Sequence, residues 1–295
     1  MSTLVCLGLG YCAKYYVAEF GSRFSRIVGT ARSDDKLASL RVEMIAYDGK
    51  TPSPKLRGAI AGASALLISA APGEDGDPIL ASLGADIEAA RALQSVVYLS
   101  SLGVYGDHAG AWVDETAPTI PPHTRGAARV DAEFNWQTLG RRRGLPVAIL
   151  RLGGIYGPGQ NAFTRLLAGR AHRIAKPGHM TNRIHVADIA QAIEAAFAKK
   201  ADGIFNVNDD EPAPPGDQIT FAAKLLGVEP PRELSMEEAT RTLPPFAMSF
   251  YQGFARSKND KLKSVLGVKL RYPNYRLGLQ ALYDLGYEAR DPLAP

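Results

Sequence analysis

The chain is poor in cysteine and has little net charge, and each scarcity removes a class of protein. Two cysteines in 295 residues, Cys6 and Cys12, cannot build a disulfide framework or a cysteine zinc site. Both lie in the first dozen residues, so a reducing, cytoplasmic setting is the expectation. Lys and Arg total 34 against 30 Asp and Glu, a net charge of +4 spread along the chain. A nucleic-acid binder needs a dense basic face, so no nucleic-acid partner is expected. The triplet Arg141, Arg142 and Arg143 has no aromatics interleaved and reads as the solvated end of a helix, where cations complement the dipole. No run of about 18 apolar residues occurs. The start, MSTLVCLGLGYCAKYY, lacks the basic opening and apolar stretch of a signal peptide, so neither a membrane span nor secretion is expected. There is no internal repeat, and no cluster has metal-ligand spacing, so no metal is expected.

What the chain does have is alternation. Short apolar runs begin near Thr3 (TLVCLG), Arg26 (RIVGTA), Glu43 (EMIAYD), Ala65 (ALLISAA), Ser95 (SVVYLSS) and Pro146 (PVAILRL), with segments of helical period between them. That rhythm predicts an α/β fold, a doubly wound parallel (Rossmann) sheet whose strands are covered on both faces. Right-handed crossovers put all the strand ends on one edge, where such sheets bind ligands. Beyond about Gly159 the rhythm changes, and a smaller, discontinuous C-terminal domain is predicted. The expected division is 1–160 as the dinucleotide-binding domain, completed by 183–210, with 161–182 and 211–295 as the substrate-binding domain.

Gly8, Gly10 and Ala13 form G-x-G-x-x-A between the first strand and the first helix. The first glycine turns the chain tightly, the second lets the backbone approach a pyrophosphate, and the alanine lets helix and strand pack closely. The pyrophosphate then lies on N–H groups at the positive end of the helix. Gly8, Leu9, Gly10, Tyr11, Cys12 and Ala13 are thus cofactor-binding candidates, with Cys12 read as a buried thiol and not a redox site. Ala70 and Ala71 after the fourth strand, and Ser100 at the end of the fifth, are candidates for lining the same ligand. About twenty residues past the glycines, NAD binders carry an acidic residue for the ribose 2′-hydroxyl. Here the second strand ends in Thr30, Arg32 and Ser33, and a guanidinium suits a 2′-phosphate, so NADP is favoured over NAD. The alternative leaves Arg32 solvated and turns Asp34 or Asp35 back to the ribose. Asp48 either accepts from the adenine amino group or initiates the DGK turn.

The segments YLSSLGVYGD, LRLGGIYGPGQ, RIHVADIAQAI and GIFNVNDDEP occur in an order that resembles the extended short-chain dehydrogenase/reductase superfamily, the NAD-dependent epimerase/dehydratase family. The likeness covers about residues 3–210, and the rest looks most like atypical bacterial members. Two departures stand out. The family's glycines recur at every third position, on Leu7, Gly10 and Ala13 here, whereas this chain uses Gly8 and Gly10. The family's Y-x-x-x-K is missing: counted back from Glu133, the Tyr position falls on Arg125 and the Lys position on Arg129. In the family that tyrosine moves a proton, and the lysine lowers its pKa and holds the nicotinamide ribose.

Arg129 can keep the ribose contact. Arg125 cannot replace a tyrosine acid, because its proton is held at every physiological pH, but it can polarise a carbonyl or pin a carboxylate or phosphate. Both are alternatively solvated helix charges. The resemblance puts Ser101 at the catalytic serine position, although a serine at a strand end is also ordinary turn chemistry. Tyr105 and Tyr156 remain as acid/base candidates, Tyr156 being carried with Ser101 and Arg125 as a catalytic candidate. His185 and Asp188 are expected to hold the domain junction. The resemblance therefore implies an NADP-linked oxidoreductase or epimerase-like enzyme for a small, anionic or sugar-type substrate, with nonstandard acid/base residues. The competing reading is a catalytically silent nicotinamide-dinucleotide-binding sensor or scaffold. Resembling proteins pair through two helices of each subunit, here including about 124–142, so a homodimer is an inherited expectation.

Overall fold

The computed structural model describes residues 2–32, 41–244, 247, 248, 251 and 253–286. Seven parallel strands form the central sheet: β1 (Thr3–Leu7), β2 (Arg26–Ala31), β3 (Glu43–Ala46), β4 (Ala65–Ile68), β5 (Ser95–Ser101), β6 (Val147–Leu152) and β7 (Gly203–Val207). Their order is β7-β6-β5-β4-β1-β2-β3. The six runs seen in the sequence are the first six strands, and GIFNV supplies the seventh, which pairs with β6 from Gly203 opposite Ala148 to Val207 opposite Leu152. The order reverses between β1 and β4, and this switch point opens a crevice beyond their carboxyl ends.

The helices are α1 (Tyr11–Phe20), α2 (Pro54–Ala61), α3 (Pro78–Ala89), α4 (Thr124–Arg143), α5 (Ala162–Leu167), α6 (Val186–Lys199), α7 (Asp217–Leu226) and, beyond two shorter helices, α8 (Tyr275–Asp284). Successive β1 side chains enter opposite layers. Leu4 and Cys6 join the core under α1 and α6, while Val5 and Leu7 join the one under α2, α3 and α4. Burial on both faces is why these strands read as continuous apolar runs, with no polar alternation.

A separate apolar core joins α5, α7 and α8 through Phe163, Ile219, Ala222, Tyr275, Leu279 and Leu282. The chain crosses between the two cores at a parallel pair, Gly154–Tyr156 with Arg183–His185. Asp188 fixes the junction by accepting from the backbone N–H groups of Arg271 (2.7 Å) and Tyr272 (3.1 Å). His185 caps α6, its Nδ1 accepting from Ala187 N at 3.1 Å. Among the described residues no helix is long and apolar enough to cross a membrane.

Candidate active site

The crevice at the switch point is built around the glycine turn. Gly8 has φ +90°, and a Cβ there would lie 2.8 Å from Ala70 N, so the β1 turn and the β4 turn touch only because this residue has no side chain. Thr30, buried at the end of β2, accepts from Gly8 N through Oγ1 (2.9 Å), while its carbonyl accepts from Leu9 N (2.7 Å). Leu9 points inward against Gly29, and Cys12 and Ala13 are buried in the same layer. Burial pushes the Cys12 thiol up to about 12, which makes it inert. Gly10 is different. A Cβ there would find only Ser69 Oγ, at an ordinary 3.8 Å, so the protein's own packing does not demand this glycine. Gly10 is also the N-cap of α1, and no side chain caps the helix. An open cradle above uncapped N–H groups fits a pyrophosphate.

Around this cradle Ala70 is partly buried and Ala71 exposed. Arg32 is exposed at the end of β2 and makes no ion pair among the described residues. Ser33, with Asp34 and Asp35, lies outside the described residues. Asp48 is exposed; its Oδ1 accepts from Lys50 N (2.8 Å) and Thr51 N (2.9 Å), which forms the DGK turn and holds the carboxyl below its usual range. Tyr11 reaches across the cleft, its hydroxyl donating to Pro158 O at 2.9 Å. The glycine turn is thereby tied to the loop after β6.

At the end of β5 the two serines diverge. Ser100 is buried and its hydroxyl is bonded to Glu133, which also holds Arg151 through Nη2 at 2.7 Å. The strand's alternation turns the side chain of Ser100, a cofactor-lining candidate, toward α4, where it meets Glu133. Ser101 is half-buried, and its Oγ accepts from Gly103 N at 3.1 Å. Accepting that bond makes the turn and leaves the hydroxyl proton available, so the two readings of this serine coexist.

Arg125 stands exposed on the first turn of α4. One turn further on, Arg129 is half-buried and donates from Nη1 to Leu99 O at 3.1 Å, which ties the helix to β5. Neither tyrosine proposed as an acid/base reaches the crevice. Tyr105 is buried, donates to Asn206 Oδ1 at 2.8 Å and carries the Arg151 guanidinium over its ring at 4.8 Å. Tyr156 is 2% exposed, with its hydroxyl 3.4 Å from Asn274 O. It lies beneath α8, where a Cβ on Gly278 would come within 2.7 Å of its Cε2. Burial holds its pKa far above the ordinary phenol value. The structure thus places Tyr156 under α8, apart from the exposed Arg125.

The sequence reading did not anticipate the polar seam behind the cleft, where Asn206, Asn208, Asn182 and Asn259 cross-link β7's end to the 255–259 segment. Only NVND hinted at it, because its partners are distant in sequence. Among the described residues no group of three or more His, Cys, Asp or Glu is placed to hold a metal.

A parallel sheet with a glycine turn and an uncapped helix at its switch point is the Rossmann class of fold. Residues 85–208 match the model of the NAD dependent epimerase/dehydratase family. A solved structure of a conserved protein of unknown function from Silicibacter pomeroyi DSS is 44% identical, covering 96% of this chain and 99% of its own, with a TM-score of 0.87. The 3-diazoavenalumate denitrifying reductase of a Streptomyces is 33% identical over 175 residues, 57% of this chain; the match spans only 58% of that reductase's length. UDP-glucuronic acid 4-epimerase from Bacillus cereus, solved with NAD, shares the fold at a TM-score of 0.75 and 17% identity, covering 99% of this chain and 100% of its own. The likeness to the NAD dependent epimerase/dehydratase family thus lies in residues 85–208, while the fold is shared with the epimerase over nearly the whole chain.

Proposed function

We propose that this protein is an NADP-linked oxidoreductase or epimerase-like enzyme acting on a small anionic or sugar-type substrate, without the family's tyrosine and lysine. The observation that carries the reading is the cradle at Gly10, which the protein's own packing leaves open above an uncapped helix. Gly8 to Ala13 would hold the pyrophosphate, Ala70 and Ala71 the flank of the dinucleotide, and Arg32 the 2′-phosphate by charge-assisted hydrogen bonds. The remaining face of Asp48 would serve the adenine, and Arg129 the nicotinamide ribose. When bound, the nicotinamide supplies or accepts hydride. Ser101 offers its hydroxyl to the substrate oxygen, and Arg125 polarises that oxygen or pins a neighbouring carboxylate or phosphate. The relative named as a 3-diazoavenalumate denitrifying reductase supports a reductive form of the reading. The cytoplasm is the compartment we assign, since both cysteines are unpaired and buried.

Calorimetric titration with NADPH, NADP, NADH and NAD tests the reading. Submillimolar binding with preference for the phosphorylated pair is expected, and Arg32→Ala should erase that preference. No binding of any of the four refutes it. A second reading, a silent nicotinamide-binding sensor, is favoured by one observation: Tyr105 and Tyr156 are both buried with their hydroxyls engaged. Oxidation or reduction of the bound nicotinamide by any physiological substrate eliminates it. Arg125→Tyr with Arg129→Lys is the informative double variant, because weak reductase activity restored by it would show that the family geometry persists.

A further inference from the structure

The helix that starts at the glycine cradle is tied to the second core at both of its ends. At its start the Tyr11 hydroxyl donates to Pro158 O at 2.9 Å, joining residues 147 positions apart. At its other end Glu19 pairs with Arg271, whose backbone N–H is held by Asp188 just before α8. The phenol fits its place closely. A Cβ on buried Gly157 would lie 2.7 Å from the Tyr11 hydroxyl and 2.6 Å from Val186 Cγ1, so the chain passes between that hydroxyl and α6 only as glycine. Beyond Gly157 the turn is closed by its own bonds: Gly157 N donates to Gln160 O (2.9 Å) and Gln160 N to Gly157 O (3.1 Å). The Gly157 carbonyl also accepts from Asn161 Nδ2 at 2.9 Å. Asn161 is the N-cap of α5, in a capping box with Thr164, and α5 packs Ala162 and Phe163 into the second core. A bond to Pro158 therefore acts on α5 as well. Tyr11 is also the first residue of α1, so its backbone N–H is one of the donors left open at the helix start. An anion bound there fixes the backbone of Tyr11 and with it the direction of the side chain. A phenol on a fixed stem loses less freedom in bonding to Pro158, so the bond is strengthened.

We propose that Tyr11 is a positioning residue that couples dinucleotide occupancy of the cradle to the placing of the 157–161 turn and α5. The coupling rests on the dinucleotide reading above. It is reciprocal: the factor by which the dinucleotide slows opening of the turn is the factor by which the Tyr11 hydroxyl strengthens dinucleotide binding. One hydrogen bond between neutral groups bounds that factor at about tenfold. The test follows amide hydrogen exchange of the full chain by mass spectrometry in wild type and Tyr11→Phe, beside calorimetric titration of both. The probe is saturating NADPH, or NADH if only the unphosphorylated pair binds. Exchange over α2 (Pro54–Ala61) reads any global stabilisation. In wild type the dinucleotide is expected to slow exchange over 157–167 by about threefold to tenfold beyond its effect on α2. In Tyr11→Phe that slowing is expected to vanish, while the dinucleotide still protects 8–13 and binds about threefold to tenfold more weakly. A merely structural bond would speed exchange over 157–167 in Tyr11→Phe equally with and without dinucleotide and leave the affinity unchanged; that outcome overturns the proposal. Weaker binding with the slowing over 157–167 retained also overturns it, because the hydroxyl then acts on the ligand directly. If the dinucleotide binds wild type without slowing 157–167, the coupling falls and the dinucleotide reading stands. If none of the nicotinamide dinucleotides binds wild type in the calorimeter, both fall.

Discussion

Gly8 and Gly10 look alike in the sequence and do different work in the structure. At Gly8 a side chain would meet the Ala70 backbone at 2.8 Å with φ at +90°; at Gly10 it would enter open space. Gly8→Ala is therefore expected to destabilise the fold by about 1–3 kcal/mol, from backbone strain and contact together. Gly10→Ala is expected to melt within about 0.5 kcal/mol of wild type while losing dinucleotide affinity at least tenfold. Thermal melts paired with calorimetry decide this; if Gly10→Ala binds as wild type does, the cradle is not the pyrophosphate site. The glycine spacing was legible because it sits within one turn of chain. The burial of Tyr156 was not, because it depends on Gly278, more than a hundred residues away.

Among the elements, α4 decides what the crevice presents. It carries Arg125 and Arg129 on its first two turns and buries Ala128, Ala132, Glu133, Trp136 and Leu139 against the sheet. Glu133 is its anchor, bonded to Ser100 of β5 and to Arg151 of β6, with both members of the ion pair at most 4% exposed. Removing one partner of a buried pair strands the other charge, so Glu133→Ala is expected to cost about 3–5 kcal/mol. Chemical denaturation measures it, and a loss below about 1 kcal/mol would show that α4 is held by its apolar face alone. Substituting both members, with Met for Arg151 and Leu for Glu133, is expected to recover much of the loss. The helix itself was readable from its period, but its depth of insertion was not, since an isolated Glu in a helical run reads as a solvated charge.

At the scale of the molecule, the junction between the two cores holds two groups that titrate in opposite senses. Burial pushes Asp209 up from 3.8 to about 8 and His185 down from 6.5 to about 3. The folded state keeps a proton on Asp209 that the unfolded chain has released, so this stabilisation is full below pH 3.8 and is lost as pH rises through 8. The unfolded chain protonates its histidine below pH 6.5 while the folded one stays neutral, so that stabilisation is present above 6.5 and is lost as pH falls through 3. Of these two groups only Asp209 acts between pH 6.5 and 8, and its contribution to stability is expected to fall with rising pH by up to about 1.4 kcal/mol per unit. Denaturant melts at pH 6.5 and 8 check the sign; Asp209→Asn should flatten the slope, and a wild type that gains stability over this interval would contradict the assignment.

The outer surface of α3 and α4 gives the remaining prediction at this scale. Phe134 is 62% exposed, and beside it Leu80, Ala85, Thr138 and Leu139 line a trough between the two helices, which are joined by Trp136 Nε1 donating to Asp77 Oδ2 at 2.8 Å. We expect a homodimer through this face by sedimentation at micromolar concentration, and a monomer for Phe134→Glu; a monomeric wild type removes the expectation.

The amino-acid sequence by itself determined the sheet, its strands and the glycine turn, because doubly covered strands must be apolar throughout and a tight turn must be glycine whatever lies elsewhere. By resemblance it puts Arg125 and Arg129 where the family carries a tyrosine and a lysine. Which hydroxyls meet the crevice was decided only in the folded molecule. Ser101 stays half-buried while Ser100 and Tyr156 are buried, since burial is set by contacts with Glu133, Asn274 and Gly278 that no local pattern encodes.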